Sequence, residues 1–403
     1  MASARSPHRP LYLDTTPDVD RFFGSIADTR ELALDTEGAS FHRFVDRIYL
    51  LQLSTRTHTA VIDPLPIGTP EPLGRLLESP DVEVVFHDAD YDLRLLQQDY
   101  GWHVRRIFDT RIAAQLLGLR AFGLAALLER YFEVKLDKKH QRADWSMRPL
   151  TRDMLDYAAQ DTMYLLDLRD RLREELERAG RLAWAQEEFG LLEGTRWDVE
   201  DPAMTFMRMK GARDLSRREL ALLREIQQWR EGVAGSLDRS TFRVLGNEQL
   251  FEIARRQPKS KDELAQIKGV PRNLLEHRAS ELLDAVQRGL AVPDAELPRF
   301  PRAARWDRDP EFDARVAALK AVRDAHAQRL ELDPGVLCSR DRMEAVARKN
   351  PTSREDVAAI EELRRWQTEL LGEEFVQALA PFTKKKARRG EAREAAEESP
   401  YRD

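Results

Sequence analysis

ELALDTEG, residues 31–38, alternates as a β-strand does: Leu32 and Leu34 point one way, Ala33, Asp35 and Glu37 the other. Two carboxylates at i and i+2 on one face of a buried strand repel each other and resist desolvation unless a cation lies between them. Hard divalent ions such as Mg²⁺ take oxygen cages of this kind. Taken alone the pattern is weak. With 71 acidic residues in 403, an acid-x-acid triplet arises by chance at roughly one position in thirty, and a solvated strand end accounts for most of them. The rest of the chain gives this triplet its weight.

Downstream, RIYLLQLS (47–54) and TAVID (59–63) are rich in β-formers and separated by short turns, which predicts an antiparallel meander with the first strand. VEVVF (82–86) is nearly all apolar, as in the middle of a covered sheet. Helices are expected over 19–27, 70–77, 90–99, 111–117 and 124–131, and over 151–178 as one long element. A short strand is expected at 107–109 and a polar irregular stretch at 137–150. Strands first, then strand alternating with helix, indicate an α/β domain with a mixed sheet and helices on both faces. Beyond about Val199 the β signal ends. Two helical blocks of similar size and order follow, a diverged repeat, joined by a linker holding Pro293, Pro298, Pro301 and Pro310. The expected domains are 1–205 (α/β), 206–291 (all-α), 292–310 (linker) and 311–383 (all-α). Residues 384–403, which switch from KKKARR to acidic, are expected to form a disordered tail.

Bulk composition narrows the function classes. A chain of 403 residues needs more than one core, and its 42% apolar content supports globular domains. No apolar run approaches the roughly 18 residues of a membrane span, and MASARSPHRP lacks the apolar core of a secretion signal. Cys338 is the single cysteine, which excludes a disulfide framework and a Cys-based zinc site and fits a reducing cytoplasm. The net charge of −6 provides no global pull on nucleic acid, so such binding must use local basic patches or metal ions. A G-x-x-x-x-G-K-[ST] phosphate loop is absent, which argues against helicase activity and a nucleotide cofactor.

Three acidic sites line up in chain order. Asp35 and Glu37 lie on the first strand. Asp92 lies in the first turn of the helix after a buried strand, in VVFHDADYDLRLL, and Asp161 follows Tyr157 by four residues in YAAQD, which sets phenol and carboxylate on one helix face. Strand ends and the helix starts beside them are where such sheets place ligands. Converging, these groups would suit a pair of divalent ions, Mg²⁺ or Mn²⁺, roughly 3.5–4 Å apart, one activating water and the other stabilising the leaving oxygen of a phosphodiester. Asp35 is expected to bridge both ions, Glu37 and Asp161 to complete the water-activating side, and Asp92 to hold the second, through water if not directly. Tyr157 is expected to orient or help deprotonate the attacking water.

In this order and context, DTE, HDADYDL and YAAQD resemble the three motifs of the DEDDy 3′→5′ exonucleases, and within them the ribonuclease D family. IYLLQLS (48–54), FDTRIAAQLLG (108–118), LDKKHQRADWSMRPL (136–150) and YAAQDTMYLL extend the likeness. Residues 210–290 resemble an HRDC domain, and about 310–382 a more divergent second one. The resemblance implies a ribonuclease H-like exonuclease fold with two HRDC-like domains behind it. It also implies release of 5′-mononucleotides from RNA 3′ ends, trimming of tRNA precursors and other structured RNAs, and RNA as partner. Ala143 stands where the family usually has serine before DW.

Further residues are candidates for substrate contact. Phe41, after the first strand, could stack on a base, as could Trp145, though anchoring its loop is the better reading of Trp145. Gln52 could support the site or the 3′ nucleotide, His87 ends the VEVVF strand, and Arg148 in WSMRPL could hold a phosphate. Asp88, Asp90 and Asp109 are read as turn and cap acids. Between Lys210 and Arg288 there are 16 Lys/Arg against 12 Asp/Glu. This local excess favours contacts to an RNA backbone, with Arg213, Arg217, Arg218, Arg239, Arg243 and Lys268 as candidates. Two competing readings are a DNA exonuclease of the same superfamily and a catalytically silent nucleic-acid adaptor.

Overall fold

The computed structural model describes residues 9–137, 139–197, 201, 204–300 and 309–397. Linker residues 301–308 and tail residues 398–403 lie outside the described residues.

Six strands form one sheet: β1 (Leu11–Leu13), β2 (Glu31–Glu37), β3 (Leu50–Ser54), β4 (Thr59–Ile62), β5 (Glu83–Phe86) and β6 (Ile107–Asp109). Their order is β1-β4-β3-β2-β5-β6. β2, β3 and β4 make the expected antiparallel meander. β1, β5 and β6 add in parallel, so the sheet is mixed. The sequence does not announce β1: three residues, LYL, are too few to alternate, and pairing with β4 alone makes them a strand.

The alternation of β2 separates two cores. Leu32 and Leu34 pack with Leu51, Leu53, Val84 and Phe86 beneath the helices Thr16–Ser25, Glu71–Leu77 and Asp90–Tyr100. Ala33 turns the other way with Val85 and Phe108, toward the helices Thr110–Leu116, Leu165–Arg178 and Leu182–Leu192. On that second face Leu50 and Val61 meet Ala158 and Ala159 of the Arg152–Met163 helix, which lies across β2, β3 and β4. Asp35 and Glu37 share this face, so the helix carrying Tyr157 and Asp161 covers them.

One helix is predicted over 151–178, and the structure breaks it. Tyr164 ends Arg152–Met163 and opens Leu165–Arg178, and its ring packs on Phe132 with centroids 6.0 Å apart. Neither Gly nor Pro marks the break; tertiary packing makes it. The second helix is tied to the strand starts by buried charge. Arg169, 5% exposed, donates to Glu31 on β2 and Glu83 on β5. Arg173 adds a 2.6 Å bond to Glu83, and Arg56 bridges Glu31 and Asp167.

The first helical domain, Arg217–Leu237 through Ala279–Ala291, has its own core. The second begins at Phe312–Leu330 and shares a core with the α/β domain. The two repeat each other at a constant offset. Arg230 donates to the Leu245 carbonyl in the first and Arg323 to that of Cys338 in the second. Left-handed caps fall at Asp238 and Gln257, then at Glu331 and Asn350. The last helix, Arg365–Glu397, runs on where a disordered tail is expected from residue 384. Lys, Arg, Ala and Glu are all strong helix formers and extend a helix already nucleated.

Removing Arg169 leaves Glu83 buried with diminished compensation. Arg169→Ala is expected to lower unfolding free energy by about 3 kcal/mol, measured as a lower urea midpoint at unchanged slope.

Candidate active site

β2 delivers Asp35 and Glu37, and the Arg152–Met163 helix delivers Tyr157 and, one turn on, Asp161. Carboxylate oxygens of Asp35, Glu37 and Asp161 lie within 4.8 Å of one another. Asp92 comes from the first turn of Asp90–Tyr100 and does not join that tight group. Its Oδ1 instead accepts from the Thr36 amide (3.0 Å) and hydroxyl (2.6 Å), which fixes the carboxylate close enough to Asp35 for each to feel the other's charge. Asp109 positions that helix start: one oxygen accepts from the Ala89 amide at 2.7 Å, the other caps Thr110–Leu116 at Arg111 and Ile112. Asp88, between strand and helix, takes a left-handed φ of 70° and pairs with Arg111.

Burial dominates the electrostatics. It raises the carboxyls of Asp35 and Glu37 well above the usual range, with repulsion from the neighbouring acids adding to it. It pushes Asp92 and Asp161 up to about 7. Tyr157 is driven well above an ordinary phenol by burial, then by the negative fields of Asp161, Glu37 and Asp35, so its hydroxyl keeps its proton. His87 is pushed down to about 4 by burial. Its Nδ1 lies 2.9 Å from the Thr110 hydroxyl, which itself donates to the Phe86 carbonyl; the imidazole therefore donates from Nδ1 and turns an acceptor Nε2 outward. Hard oxygen donors, crowded and raised by mutual repulsion, match what Mg²⁺ or Mn²⁺ requires. Gln52 stands opposite Asp35 in the ladder, wholly buried, its amide without a partner among the described residues. The surroundings of Asp35 are thus polar.

The other candidates divide. Phe41, 51% exposed, sits at the lip of the cleft with His87, Tyr157 and Asp161. Gln52 is too deep to touch a nucleotide and adjoins Asp35 instead. Trp145 is a correction: at 2% exposure it stacks on Tyr157 (6.1 Å, 28°) and holds that ring, leaving no open face for a base. Arg148 is another. All five of its N–H groups are taken, two by Asp63 (2.5 and 2.8 Å) and the rest by the carbonyls of Trp145, Met147 and Tyr49, so none remains for a phosphate. Residues not singled out in the sequence also shape the site. Thr36 orients Asp92 from inside the DTE triplet, and His140 meets Tyr157 edge-on at 5.7 Å. Tyr91 donates to Asp46 directly over Gly38, where a Cβ would meet the phenol oxygen at 2.5 Å.

A family model described as 3′-5′ exonuclease matches residues 12–177, and the HRDC domain model matches twice, at 219–286 and 312–379. Ribonuclease D of Granulibacter bethesdensis is 33% identical over 371 residues, 91% of each chain. The chain belongs to the ribonuclease D family. Ribonuclease D of Escherichia coli is 32% identical over 269 residues, 66% of this chain and 72% of that one. Its crystal structure, described as an exoribonuclease involved in structured RNA processing, covers 93% of this chain and all of its own, at TM-score 0.72 and 27% identity. The catalytic core of Trypanosoma brucei RRP6 aligns at TM-score 0.61, 30% identical, over 71% of this chain and 81% of that one. The enzyme is a 3′→5′ exoribonuclease with an HRDC pair behind its mixed-sheet domain. Among the described residues no helix is long and apolar enough to cross a membrane.

Arg148→Ala strands the buried Asp63 carboxylate and is expected to cost about 3 kcal/mol of stability. Thermal melts check this; a phosphate contact would instead weaken RNA binding at unchanged melting temperature.

Proposed function

We propose that Asp35, Glu37, Asp92 and Asp161 hold two divalent cations, Mg²⁺ or Mn²⁺, and that the site hydrolyses RNA from its 3′ end to 5′-mononucleotides. The observation that carries this reading is the meeting of three carboxylates within 4.8 Å, beside a fourth steered by Thr36. Bound there, the cations supply polarisation of water and neutralisation of charge at the phosphate. The protein's own groups do the rest. Tyr157, a neutral phenol braced by Trp145 and His140, donates to the attacking water and fixes its approach. The water oxygen bonds to phosphorus and releases one proton to solvent as the P–O3′ bond breaks; the phosphate leaves with the terminal nucleotide, and the freed 3′ oxygen takes one proton from solvent.

The substrates proposed are tRNA precursors and other structured RNAs with a free 3′ end, in the cytoplasm. The basic excess of the first HRDC domain supports contact with an RNA backbone. Arg239, Arg243 and Lys268 present exposed side chains. Arg217 and Arg218 turn back onto main-chain carbonyls between Gly289 and Leu297, and Arg213 covers Phe300.

With Mg²⁺ or Mn²⁺, 3′-labelled RNA should release labelled mononucleotide at once, 5′-labelled RNA should shorten stepwise, and EDTA should stop both. Asp35→Asn should abolish release while RNA affinity stays within a few-fold; retained turnover refutes the assignment. A matched DNA strand degraded equally well would shift the reading to a general exonuclease.

Cation binding should follow pH. Asp92 and Asp161, raised to about 7 in the cation-free protein, must lose protons to ligate, so affinity rises with pH. Their folded pKa lies above the unfolded value, so their contribution to cation-free stability is full below about pH 4 and lost as pH rises through about 7. The melting-temperature gain from Mn²⁺ should therefore be larger at pH 8 than at pH 6.

A further inference from the structure

The first HRDC domain reaches the mouth of the cleft. Asp238, the left-handed cap of Arg217–Leu237, accepts from Arg43 (3.1 Å) and from the Phe44 amide (3.3 Å). The Ser240 hydroxyl donates to the Ser40 carbonyl at 2.5 Å. These bonds fix the short helix Thr241–Val244 against the loop that follows β2. Phe242 on that helix meets Phe41 edge to face, centroids 5.5 Å apart at 73°. The Arg142 guanidinium lies 5.7 Å from the Phe41 ring centroid. His42 joins the two sides, with Nε2 3.1 Å from the Arg142 carbonyl and Nδ1 3.2 Å from the Arg243 guanidinium.

Both rings stay about half exposed, 51% for Phe41 and 49% for Phe242, although the polar bonds beside them already close the seam. In the second helical domain the equivalent corner carries no aromatic ring, the ring contact of that interface lying elsewhere, between Trp184 and Trp366. That corner, the left-handed cap at Glu331, sits against Gly118 of the exonuclease domain, and its short helix Pro334–Leu337 carries Gly335 where the first domain carries Phe242. An aromatic ring is thus no fixed feature of this corner of the repeat. Two rigid half-exposed rings flanked by Arg142 and Arg243, at the edge of a cleft that cuts phosphodiesters, offer π-faces to bases and cations to the backbone between them.

We propose that Phe41 and Phe242 form a platform shared by two domains, which stacks unpaired bases of the RNA just upstream of the scissile phosphate. The inference rests on the reading that this cleft admits an RNA 3′ end. The test measures binding of 5′-fluorescein oligoadenylate in EDTA, where no hydrolysis occurs. Phe242→Ala should weaken binding roughly tenfold, Phe242→Trp should restore it, and Phe242→Leu, apolar but not aromatic, should not. With abasic residues at the second and third positions from the 3′ end, wild type and Phe242→Ala should bind alike. Leu matching Phe, or an equal loss on the abasic strand, would make the ring mere interdomain packing and overturn the proposal. Wild type that binds the oligonucleotide tightly yet cleaves none when Mg²⁺ is restored would instead refute the exonuclease reading and leave the platform standing.

Discussion

Everything near the cleft answers one electrostatic constraint: four carboxylates must be held together where water reaches them only in part. Left to themselves they would separate or take up protons. The sheet prevents separation by placing two of them on one strand face, where a two-residue period fixes their spacing. The third cannot retreat because its helix lies across three strands. The fourth is held by a hydroxyl and an amide of the residue between the first two. Proton uptake is the remaining response, and the raised carboxyls record it. The ion network of Arg169, Glu31 and Glu83 at the far end of β2 belongs to the same economy. There, opposite charges are buried together and anchor Leu165–Arg178, and with it the helix just before it.

The second helical domain and the exonuclease domain are effectively continuous. Trp184 and Trp366 stack at 4.7 Å and 16°. Glu187 and Glu188 accept from the amides and side chains at the start of Arg365–Glu397, where the helix dipole favours negative charge. The first helical domain has a separate core and meets its neighbour through a few polar bonds. The same corner of the same repeat thus serves two ends: permanent packing in one copy, and a rim for the cleft in the other.

Much of this was legible because it follows local periodicity. Residues 31–38 alternate, and the structure sorts Leu32 and Leu34 into one core and Ala33 into the other. The i, i+4 pair of Tyr157 and Asp161 needed only helical spacing. Tertiary causes stayed hidden. Three residues of β1 hold no pattern, and the break at Tyr164 has no Gly or Pro to announce it. Arg148 reads as a phosphate ligand until Asp63, far away in sequence, is seen to claim it. Trp145 reads as a core anchor or a base platform, and only the fold, by setting Tyr157 against it, decides for the first. Thr36 was in plain view, yet its hydroxyl points to the face opposite its acidic neighbours, and only the fold brings Asp92 there. The segment from residue 384 switches from a basic run to an acidic one, which points to disorder, while its helix propensity points the other way and prevails through Glu397.

The seam between Asp238, Ser240 and the loop after β2 has a thermal consequence. A few polar bonds and one ring contact open at lower free energy than either hydrophobic core. As temperature rises, the wall of the cleft comes apart while both cores remain folded. Loss of activity on heating is then expected to precede the unfolding of either core.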